Sequence, residues 1–325
     1  MTISYSPLLF PLASWLFSLA GTALALSILT QYSVIDTPNE RSSHKIPVPR
    51  GGGIAMIIVA LIFLASAGMD LKIIAAATLL AIISFIDDLR NMPVTVRLGA
   101  QAIAVIIATS ALHGRIVPAI PLPLEQALIV LSWLWFINLF NFMDGIDGIT
   151  SMETIMIMIG ICIIAFVHKS LPAALVLHAC IIAAATLGFF WFNRHPAKLF
   201  MGDIGSVTLG FLVACLLFEL ALHGQLLPAL ILPAYYVSDA TFTLFKRLIT
   251  REKIWQAHSQ HAYQQAVRSH MTHTQVVRKI TLLNICLVIL ANFATPDMIG
   301  VIMLIIAYIL AACMIRHFVR KTQVE

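Results

Sequence analysis

The sequence predicts an all-α membrane protein that crosses the bilayer many times. Hydrophobic residues make up 60% of the 325 residues and charged residues only 11%. Soluble globular proteins, in contrast, carry about 25% charged residues. The apolar stretches approach the length that a helix needs to cross the hydrocarbon core, roughly 20 residues. We therefore expect a single integral membrane domain over residues 1–325, without a separate soluble domain.

Eleven candidate spans follow from the apolar stretches and from the proline, glycine or charged residues that interrupt them. The expected spans lie near residues 8–30, 52–68, 73–86, 98–113, 126–143, 153–168, 172–192, 204–222, 227–245, 280–294 and 298–315. No lysine or arginine precedes Arg41, so the first stretch lacks the basic region of a signal peptide. We expect it to be a retained helix.

The distribution of positive charge predicts the orientation. Alternate loops hold seventeen of the 20 Lys and Arg residues, and the opposite loops hold only Lys72, Arg115 and Lys169. Because Lys and Arg collect in cytoplasmic loops, the N-terminus is expected in the periplasm and the C-terminus in the cytoplasm. The expected cytoplasmic loops lie near residues 31–51, 87–97, 144–152, 193–203 and 246–279.

Five polar segments stand at the ends of spans on the predicted cytoplasmic face, and we call them polar islands. They are Asn39–Lys45, Asp87-Asp88, Asn141–Gly148, Met201–Ser206 and His258–His261. The islands gather carboxylates, histidines and glycines, which suit metal ions and phosphate groups. The pattern indicates an active site on the cytoplasmic face for a charged, phosphorylated, metal-bound substrate.

Asp87 and Asp88 end the third predicted span. The helix macrodipole disfavours acids at a helix C-terminus, so a cation such as Mg²⁺ is the expected compensation. Adjacent helical residues point about 100° apart. One aspartate is therefore free to bind a metal while the other meets a substrate. The alternative is a solvated helix end with Asp88 near Arg90.

The island Asn141–Gly148 carries two further acids. Asp144 and Asp147 are three residues apart and would be neighbours if the helix continued. Gly145 and Gly148 favour a turn and a close approach of backbone to ligand. The loop contains no Lys or Arg, which fits a bound cation. The alternative is a simple helix exit.

The last two islands have competing interpretations. Asp203 opens the eighth span, either as an N-cap or as part of a metal–phosphate site at a helix N-terminus. His258 and His261 stand three apart near Arg247, where they would bind phosphates. The alternative for that basic loop is contact with anionic lipid headgroups.

Other features carry less information. Glu219 and Asp239 are the acids placed well inside spans, and such acids are functional candidates by default. Asp239 lies near enough to the cytoplasmic end to join the site. The five cysteines lie in apolar stretches without metal-type spacing and read as core residues. The net charge of +5 is explained by membrane topology, so no nucleic-acid partner is expected.

Taken in this order, the islands resemble those of the polyprenyl-phosphate N-acetylhexosamine-1-phosphate transferases, the membrane family that includes WecA and MraY. Asn141–Gly148 looks like the family's NxxDGxDG signature, and Phe200–Ser206 looks like its MGDxGS signature. Asp87-Asp88 matches its aspartate pair, and Arg97 with Gln101 fits its basic-x-x-x-Gln helix start. The resemblance extends from Asp36 to about Gln265.

The resemblance implies transfer of an N-acetylhexosamine-1-phosphate from a UDP-sugar to undecaprenyl phosphate, with release of UMP. It implies Mg²⁺ as cofactor, with Mn²⁺ as an alternative, and placement in the bacterial inner (cytoplasmic) membrane. The MraY branch has three consecutive histidines where this chain has His258-Ser259-Gln260-His261, so the chain departs from that branch here. The stretches Asp36–His44 and Pro49–Gly53 also look like the WecA-like, O-antigen-initiating branch. The expected sugar is GlcNAc or a 6-deoxy form such as FucNAc or QuiNAc, for O-antigen or another cell-surface polysaccharide.

The expected site residues fall into three groups. The catalytic candidates are Asp87, Asp88, Asp144, Asp147 and His261. The substrate-binding candidates are His44, Lys45, Arg50, Arg97, Asn141, Arg247 and His258. The metal candidates are Asp203 and Asp87. The expected partners are UDP-N-acetylhexosamine, undecaprenyl phosphate and membrane lipid, and a homodimer is compatible with the sequence.

Two hypotheses from other functional classes fit the sequence less well. A secondary transporter of a cation or phosphorylated solute would place its site near the midplane, between repeated halves with broken helices. Here the acids cluster at the cytoplasmic ends of spans and no inverted repeat is visible. A non-catalytic scaffold is disfavoured because every acid expected for the chemistry is present.

Overall fold

The computed structural model describes residues 8–32, 35–36, 47–90, 92–169, 171–252, 258–269 and 271–320. These residues form thirteen helices and one pair of short strands. The helices are α1 (Leu9–Gln31), α2 (Gly53–Ser66), α3 (Leu71–Arg90), α4 (Val94–Thr109), α5 (Leu122–Phe142), α6 (Ile149–His168), α7 (Ala173–Asn193), α8 (Gly202–Leu222), α9 (Leu226–Ile231), α10 (Ala234–Ile249), α11 (Ala262–Arg268), α12 (His273–Phe293) and α13 (Met298–Arg320). The strands β1 (Ile35–Asp36) and β2 (Val48–Pro49) pair in antiparallel fashion.

Seven helices in the described part of the chain are long and apolar enough to cross a membrane: α1, α5, α6, α7, α8, α12 and α13. Shorter apolar helices, α2 and α4, accompany them. The all-helical architecture confirms the prediction of a polytopic membrane protein. The number of eleven spans and the orientation stay predictions.

One predicted span has a different form in the structure. The stretch 227–245 is divided into α9 and α10, which meet at Leu232 and Pro233. Proline has no N–H to donate to the preceding turn and its ring crowds that turn, so a helix tends to break there. The division leaves α10 as a separate helix that precedes the island His258–His261 in the chain.

Helix α8 lies at the centre of the bundle. Of the most apolar 18-residue stretch of α8, 89% is buried inside the protein. The helix packs against α2, α3, α5 and α9. Its first turn carries Asp203. The central position of α8 therefore brings the start of this helix into the middle of one end of the bundle, where the ends of several other helices surround it.

Helices α1 and α7 pack closely through small residues. The hydroxyl groups of Ser14 and Ser18 donate hydrogen bonds to the carbonyl oxygens of Ile181 (3.2 Å) and Ala185 (2.6 Å). A Cβ atom added to Gly188 would lie 2.8 Å from backbone atoms of α1. Within a bilayer, helix association depends on such close contacts of small residues, because lipid tails are as apolar as the side chains.

This contact predicts that Gly188→Ala destabilises the protein by about 1–3 kcal/mol, the usual cost of overpacking. The matched control is Gly99→Ala in α4, where an added Cβ would meet nothing within 4 Å. Thermal unfolding of both variants in detergent measures the difference. Equal melting temperatures would show that α1 and α7 do not need this close approach.

Candidate active site

A backbone connection brings Arg50 to the start of α8. Residues 49–53 and 200–201 are joined by three backbone hydrogen bonds of 2.8–2.9 Å. The beginnings of α2 and α8 approach so closely that a Cβ on Gly53 would lie 2.7 Å from the Cα of Gly205. Glycine is therefore required at this contact. This close approach of the two helix starts places Arg50 beside Asp203, and Arg50 Nη2 lies 2.8 Å from Asp203 Oδ1.

Asp88 closes the N-terminus of α8. Its Oδ1 accepts a hydrogen bond from the backbone N–H of Asp203 (2.9 Å) and its Oδ2 accepts one from Ile204 (3.0 Å). Asp203 itself lies within the first turn and is not the N-cap. An aspartate from α3 thus accepts hydrogen bonds from two of the backbone N–H groups that have no partner within α8, as at every helix start.

Asp87, the neighbour of Asp88, has different partners. Its Oδ1 accepts a hydrogen bond from the backbone N–H of Met92 (2.5 Å), and its Oδ2 accepts one from Arg97 Nη1 (2.9 Å). The same Arg97 nitrogen is 3.5 Å from Asp203 Oδ2. Arg97 therefore links the ends of α3, α4 and α8.

Three acids and two arginines together form what we call the carboxylate cluster: Asp87, Asp88, Asp203, Arg50 and Arg97. The Arg50 guanidinium contacts Asp88 as well as Asp203, at 3.0 Å and 2.8 Å. The acids outnumber the arginines, and their carboxylate oxygens are the kind of ligand that Mg²⁺ prefers. The donor set fits a divalent cation held by Asp203 and Asp87, in place of arginine contacts.

The carboxylate cluster borders a cavity of about 350 Å³. Its wall is formed by α3, α4, α5, α8 and the segment before α11. The polar residues that line it are Ser84, Asp87, Arg97, Gln101, Asn138, Asn141, Asp144, Asp203, His258, His261 and Gln264. Four of the five polar islands thus contribute to one cavity.

Hydrogen bonds organise the amide side chains of this wall. Ser206 donates to Asn141 Oδ1 (2.6 Å), and Asn138 donates to Gln101 Oε1 (2.7 Å). These bonds fix the orientation of both amides across α4, α5 and α8. The fixed donors and acceptors suit recognition of a polar ligand.

Asp144 lies half-buried on the cavity wall. Burial, reinforced by the negative charges of Asp203 and Asp88, raises the pKa of Asp144 to about 7, although the Thr150 hydroxyl and Arg50 act in the opposite direction. A carboxyl group that titrates near neutral pH is able to accept or donate a proton under physiological conditions.

Asp147 lies apart from the residues that line the cavity. Its Oδ2 accepts hydrogen bonds from His195 Nδ1 (2.6 Å) and from the backbone N–H of Ala197 (3.1 Å), and His273 Nδ1 is 3.2 Å away. Burial alone would raise the pKa of Asp147, but the hydrogen bonds and charge of His273, with those from His195 and Ala197, lower it. Asp147 is therefore an ionised acid that orients two histidines.

The Asp147, His195 and His273 group is also a candidate metal centre, because its ligand atoms lie within 4.8 Å of one another. Two nitrogens and one oxygen suit Zn²⁺ or a similar transition ion better than Mg²⁺. Asp147 Oδ2 lies 2.6 Å from His195 Nδ1 and 3.2 Å from His273 Nδ1, which are hydrogen-bond distances. These two contacts of Asp147 account for the arrangement.

The island His258–His261, which we call the histidine segment, also lines the cavity through both of its histidines. The rings of His258 and His261 are 4.9 Å apart. Burial, together with the charges of His261 and Arg247, lowers the pKa of His258 to about 4. His258 is therefore neutral at pH 7 and would contact a phosphate by hydrogen bonding.

Three predicted substrate-binding residues remain to be placed. Arg247 is buried in α10, pairs with Glu252 at 3.2 Å and is not among the residues that line the cavity. His44 and Lys45 lie outside the described residues.

Sequence reasoning did not single out His195, His273 or Asn138. His195 stands just before the island Met201–Ser206 in a predicted cytoplasmic loop, which was an available signal. His273 lies in a stretch that is rich in histidine, with His258, His261 and His270 before it. Nothing in the spacing connects it to Asp147, which precedes it by 126 residues.

Comparison with known proteins finds a family that part of this chain is similar to. Residues 71–221 match the family model described as glycosyl transferase family 4. The match covers slightly less than half of the chain and shows similarity to this family over that region. The matched region of this chain contains Asp87, Asp88, Arg97, Asn141, Asp144, Asp147 and Asp203. Arg50 and the histidine segment lie outside it.

Individual relatives differ in how much of the chain they match. A protein of Bacillus subtilis (strain 168) named "Probable undecaprenyl-phosphate N-acetylglucosaminyl 1-phosphate transferase" is 25% identical in an alignment 291 residues long, and the match covers 84% of this chain and 80% of that protein. A phospho-N-acetylmuramoyl-pentapeptide-transferase of Streptococcus pyogenes serotype M49 (strain NZ131) is 38% identical over 109 residues, 33% of this chain and 32% of the relative. The corresponding protein of Streptococcus thermophilus (strain CNRZ 1066) is 41% identical over an equally long part.

The raised pKa of Asp144 predicts how Asp144→Asn changes stability with pH. The native state favours the protonated acid, so the stability that Asp144 contributes is present at low pH and is lost as pH rises through about 7. Asparagine stays neutral. We expect Asp144→Asn to melt at a higher temperature than the wild-type protein at pH 8, and this advantage to shrink towards pH 5.

Asp147→Asn is the matched control, because its pKa shift has the opposite sign. Its ionised form stabilises the native state at neutral pH, and that contribution is lost as the pH falls. We expect Asp147→Asn to melt at a lower temperature than the wild-type protein at pH 8. Melting curves of the two variants that change with pH in the same direction would contradict the assignment.

Proposed function

We propose that this protein transfers an N-acetylhexosamine-1-phosphate from a UDP-sugar to undecaprenyl phosphate and releases UMP. The observation that carries the proposal is the carboxylate cluster on the wall of a polar cavity at one end of a membrane bundle. A diphosphate substrate needs a divalent cation and positive side chains together, and the cluster offers oxygen ligands beside Arg50 and Arg97.

The relatives support the same class of reaction. The Bacillus subtilis protein is named for undecaprenyl phosphate and an N-acetylglucosaminyl 1-phosphate group, and it matches most of this chain. The pentapeptide transferases match only about a third of it. We therefore favour the WecA-like branch, with GlcNAc or a 6-deoxy N-acetylhexosamine, in O-antigen or related polysaccharide synthesis at the bacterial cytoplasmic membrane.

An apolar groove of about 360 Å³ provides room for the lipid tail of the acceptor. It runs along α5, beside α8, α9, α10 and α13, and it includes Trp135 and Leu139. Asn138, which lies between these two residues in α5, lines the polar cavity. A polyprenyl chain in the groove would therefore present its phosphate towards the carboxylate cluster.

The residues of the cluster determine how the reaction would proceed. Mg²⁺ held by Asp203 and Asp87 would neutralise the diphosphate and polarise the β-phosphorus. Arg50 and Arg97 contact the same acids with side chains that are about one-third exposed. On donor binding they would hold phosphate oxygens through charge-assisted hydrogen bonds.

The transfer itself needs little proton chemistry. The second pKa of a phosphate monoester is about 6, so the acceptor phosphate is mostly ionised at neutral pH. Its oxygen forms a bond to the β-phosphorus while the bond to the bridging oxygen of UMP breaks, and UMP leaves with the electron pair. Asp87, fixed by Met92 and Arg97, serves to orient the acceptor. Asp144 is the wall residue that is able to hold a proton near pH 7.

A transporter is the alternative from another class. The acids of the described chain that line the cavity lie at helix ends or in a loop, and not at the middle of a span. Transporter sites usually lie near the midplane. The position of the acids therefore favours the transferase.

We expect purified protein to release UMP from one member of a panel of UDP-N-acetylhexosamines when undecaprenyl phosphate and Mg²⁺ are present. EDTA should stop the release. Asp203→Asn should lower the rate by about 100-fold or more, as expected when a group that stabilises transition-state charge is lost. Asp70→Asn, at an exposed position before α3, is the matched control and should keep the wild-type rate.

Two results would count against these assignments. A wild-type rate in Asp203→Asn would exclude its role in holding the cation. Failure of folded wild-type protein to release UMP from every donor, including 6-deoxy sugars, would contradict the transferase function.

The groove predicts a second effect. Ser132→Trp places a large side chain in the groove, whereas Leu131→Trp changes a neighbouring residue that is 63% exposed and does not line it. We expect Ser132→Trp to raise the KM for undecaprenyl phosphate and to leave the KM for the UDP-sugar unchanged. Equal acceptor KM values in the two variants would show that the lipid tail lies elsewhere.

A further inference from the structure

Asp239 is a buried acid that stands behind the cavity and not on its wall. It lies in the middle of α10, its exposed fraction is 0%, and it is not among the residues that line the cavity. A buried carboxylate is costly unless hydrogen bonds replace its hydration. The partners of Asp239 therefore indicate what the charge is for.

Two donors come from the same helix. Tyr235 Oη is 3.1 Å from Oδ2, and Thr243 Oγ1 is 3.2 Å from Oδ1. They stand one turn before and one turn after Asp239, so both lie on the same face of α10. These two hydroxyl groups orient the carboxylate on its own helix.

The other donors come from the beginning of α11. The backbone N–H of Ala262 donates to Oδ1 (2.9 Å) and that of Tyr263 donates to Oδ2 (3.3 Å). His261 Nδ1 is 3.6 Å from Oδ1. The first N–H groups of a helix have no partner within the helix. Asp239 supplies one for two of them, and thereby joins α11 to α10.

The start of α11 carries two residues of the cavity wall. His261 and Gln264 both line the cavity, and the His261 N–H donates to Gln264 Oε1 at 3.3 Å. The same turn also contacts the island Asn141–Gly148, because Tyr263 Oη donates to the carbonyl oxygen of Phe142 at 3.0 Å. A displacement of this turn would move the histidine segment and loosen its contact with that island together.

We propose that Asp239 is a positioning residue for the reaction, which holds His261 and Gln264 at the cavity through its bonds to the first turn of α11. The proposal rests on the proposed function for its catalytic consequence. Its structural part stands on the five contacts alone. An ionised carboxylate suits this task because its two oxygens accept hydrogen bonds from both directions and such bonds are about twice as strong as neutral ones.

The test is Asp239→Asn in the full-length protein. Asparagine keeps the shape but offers one oxygen and one NH₂ group, and the NH₂ group would face donors. The matched control is Asp297→Asn, because Asp297 also accepts backbone hydrogen bonds at a helix start, from Ile299 (2.9 Å) and Gly300 (3.2 Å) of α13. Asp297 is exposed, and neither it nor any residue of α13 is among those that line the cavity.

Two measurements follow. We expect Asp239→Asn to increase hydrogen–deuterium exchange in peptides covering residues 258–269, while the control matches the wild-type protein there. We also expect the KM for the UDP-sugar to rise about tenfold, equivalent to the loss of one such interaction, with a smaller change in kcat. Thermal melting should remain cooperative in both variants.

Each outcome has a defined meaning. Unchanged exchange at 258–269 in Asp239→Asn would overturn the proposal. Increased exchange with an unchanged KM and kcat would also overturn it, because the contact would then be structural only. Absence of turnover in the wild-type protein would contradict the proposed function and not the anchoring, since the exchange comparison needs no turnover.

Discussion

The site depends on one interaction, the hydrogen bonding of Asp88 to the first turn of α8. Helix α8 is buried along nearly all of its length, and a bilayer protein has to satisfy its backbone N–H groups internally. Asp88 accepts from two of them and contacts Arg50 at the same time. The end of α3, the start of α8 and the segment before α2 are thereby joined at one place. Because Asp203 belongs to that first turn, its carboxylate is aimed into the shared space.

Charge balance governs the rest of the arrangement. Carboxylates this close would repel one another without cations, and the two arginines supply positive charge between them. The arginine side chains remain about one-third exposed, whereas those of Asp87 and Asp88 are almost fully buried. Burial therefore holds the two aspartates in place, whereas the more exposed guanidinium groups have room to move towards a bound ligand. Such a site is prepared for a metal ion and a diphosphate, whose charges complement one another.

The histidine segment shows a related principle at a second helix start. A buried aspartate of α10 accepts the free N–H groups of α11, as Asp88 of α3 does for α8. In both cases the acid lies on one helix and fixes the beginning of another. Positions on the cavity wall are thus determined by acids that are themselves withdrawn from it. This division explains why some aspartates of the chain line the cavity and others do not.

The sequence by itself determined the class of protein, the approximate helix positions and the chemical character of the site, because composition, apolar length and local motifs are read along the chain. It also indicated the polar residues near helix ends. Four of them, Asp87, Asn141, Asp144 and Asp203, line the same cavity. Only the tertiary structure decided the partners. Asp147 is not a helical neighbour of Asp144, because α5 ends at Phe142, before both residues. Its contacts with His195 and His273 join segments far apart in sequence, and such contacts arise from helix packing, which no local periodicity encodes.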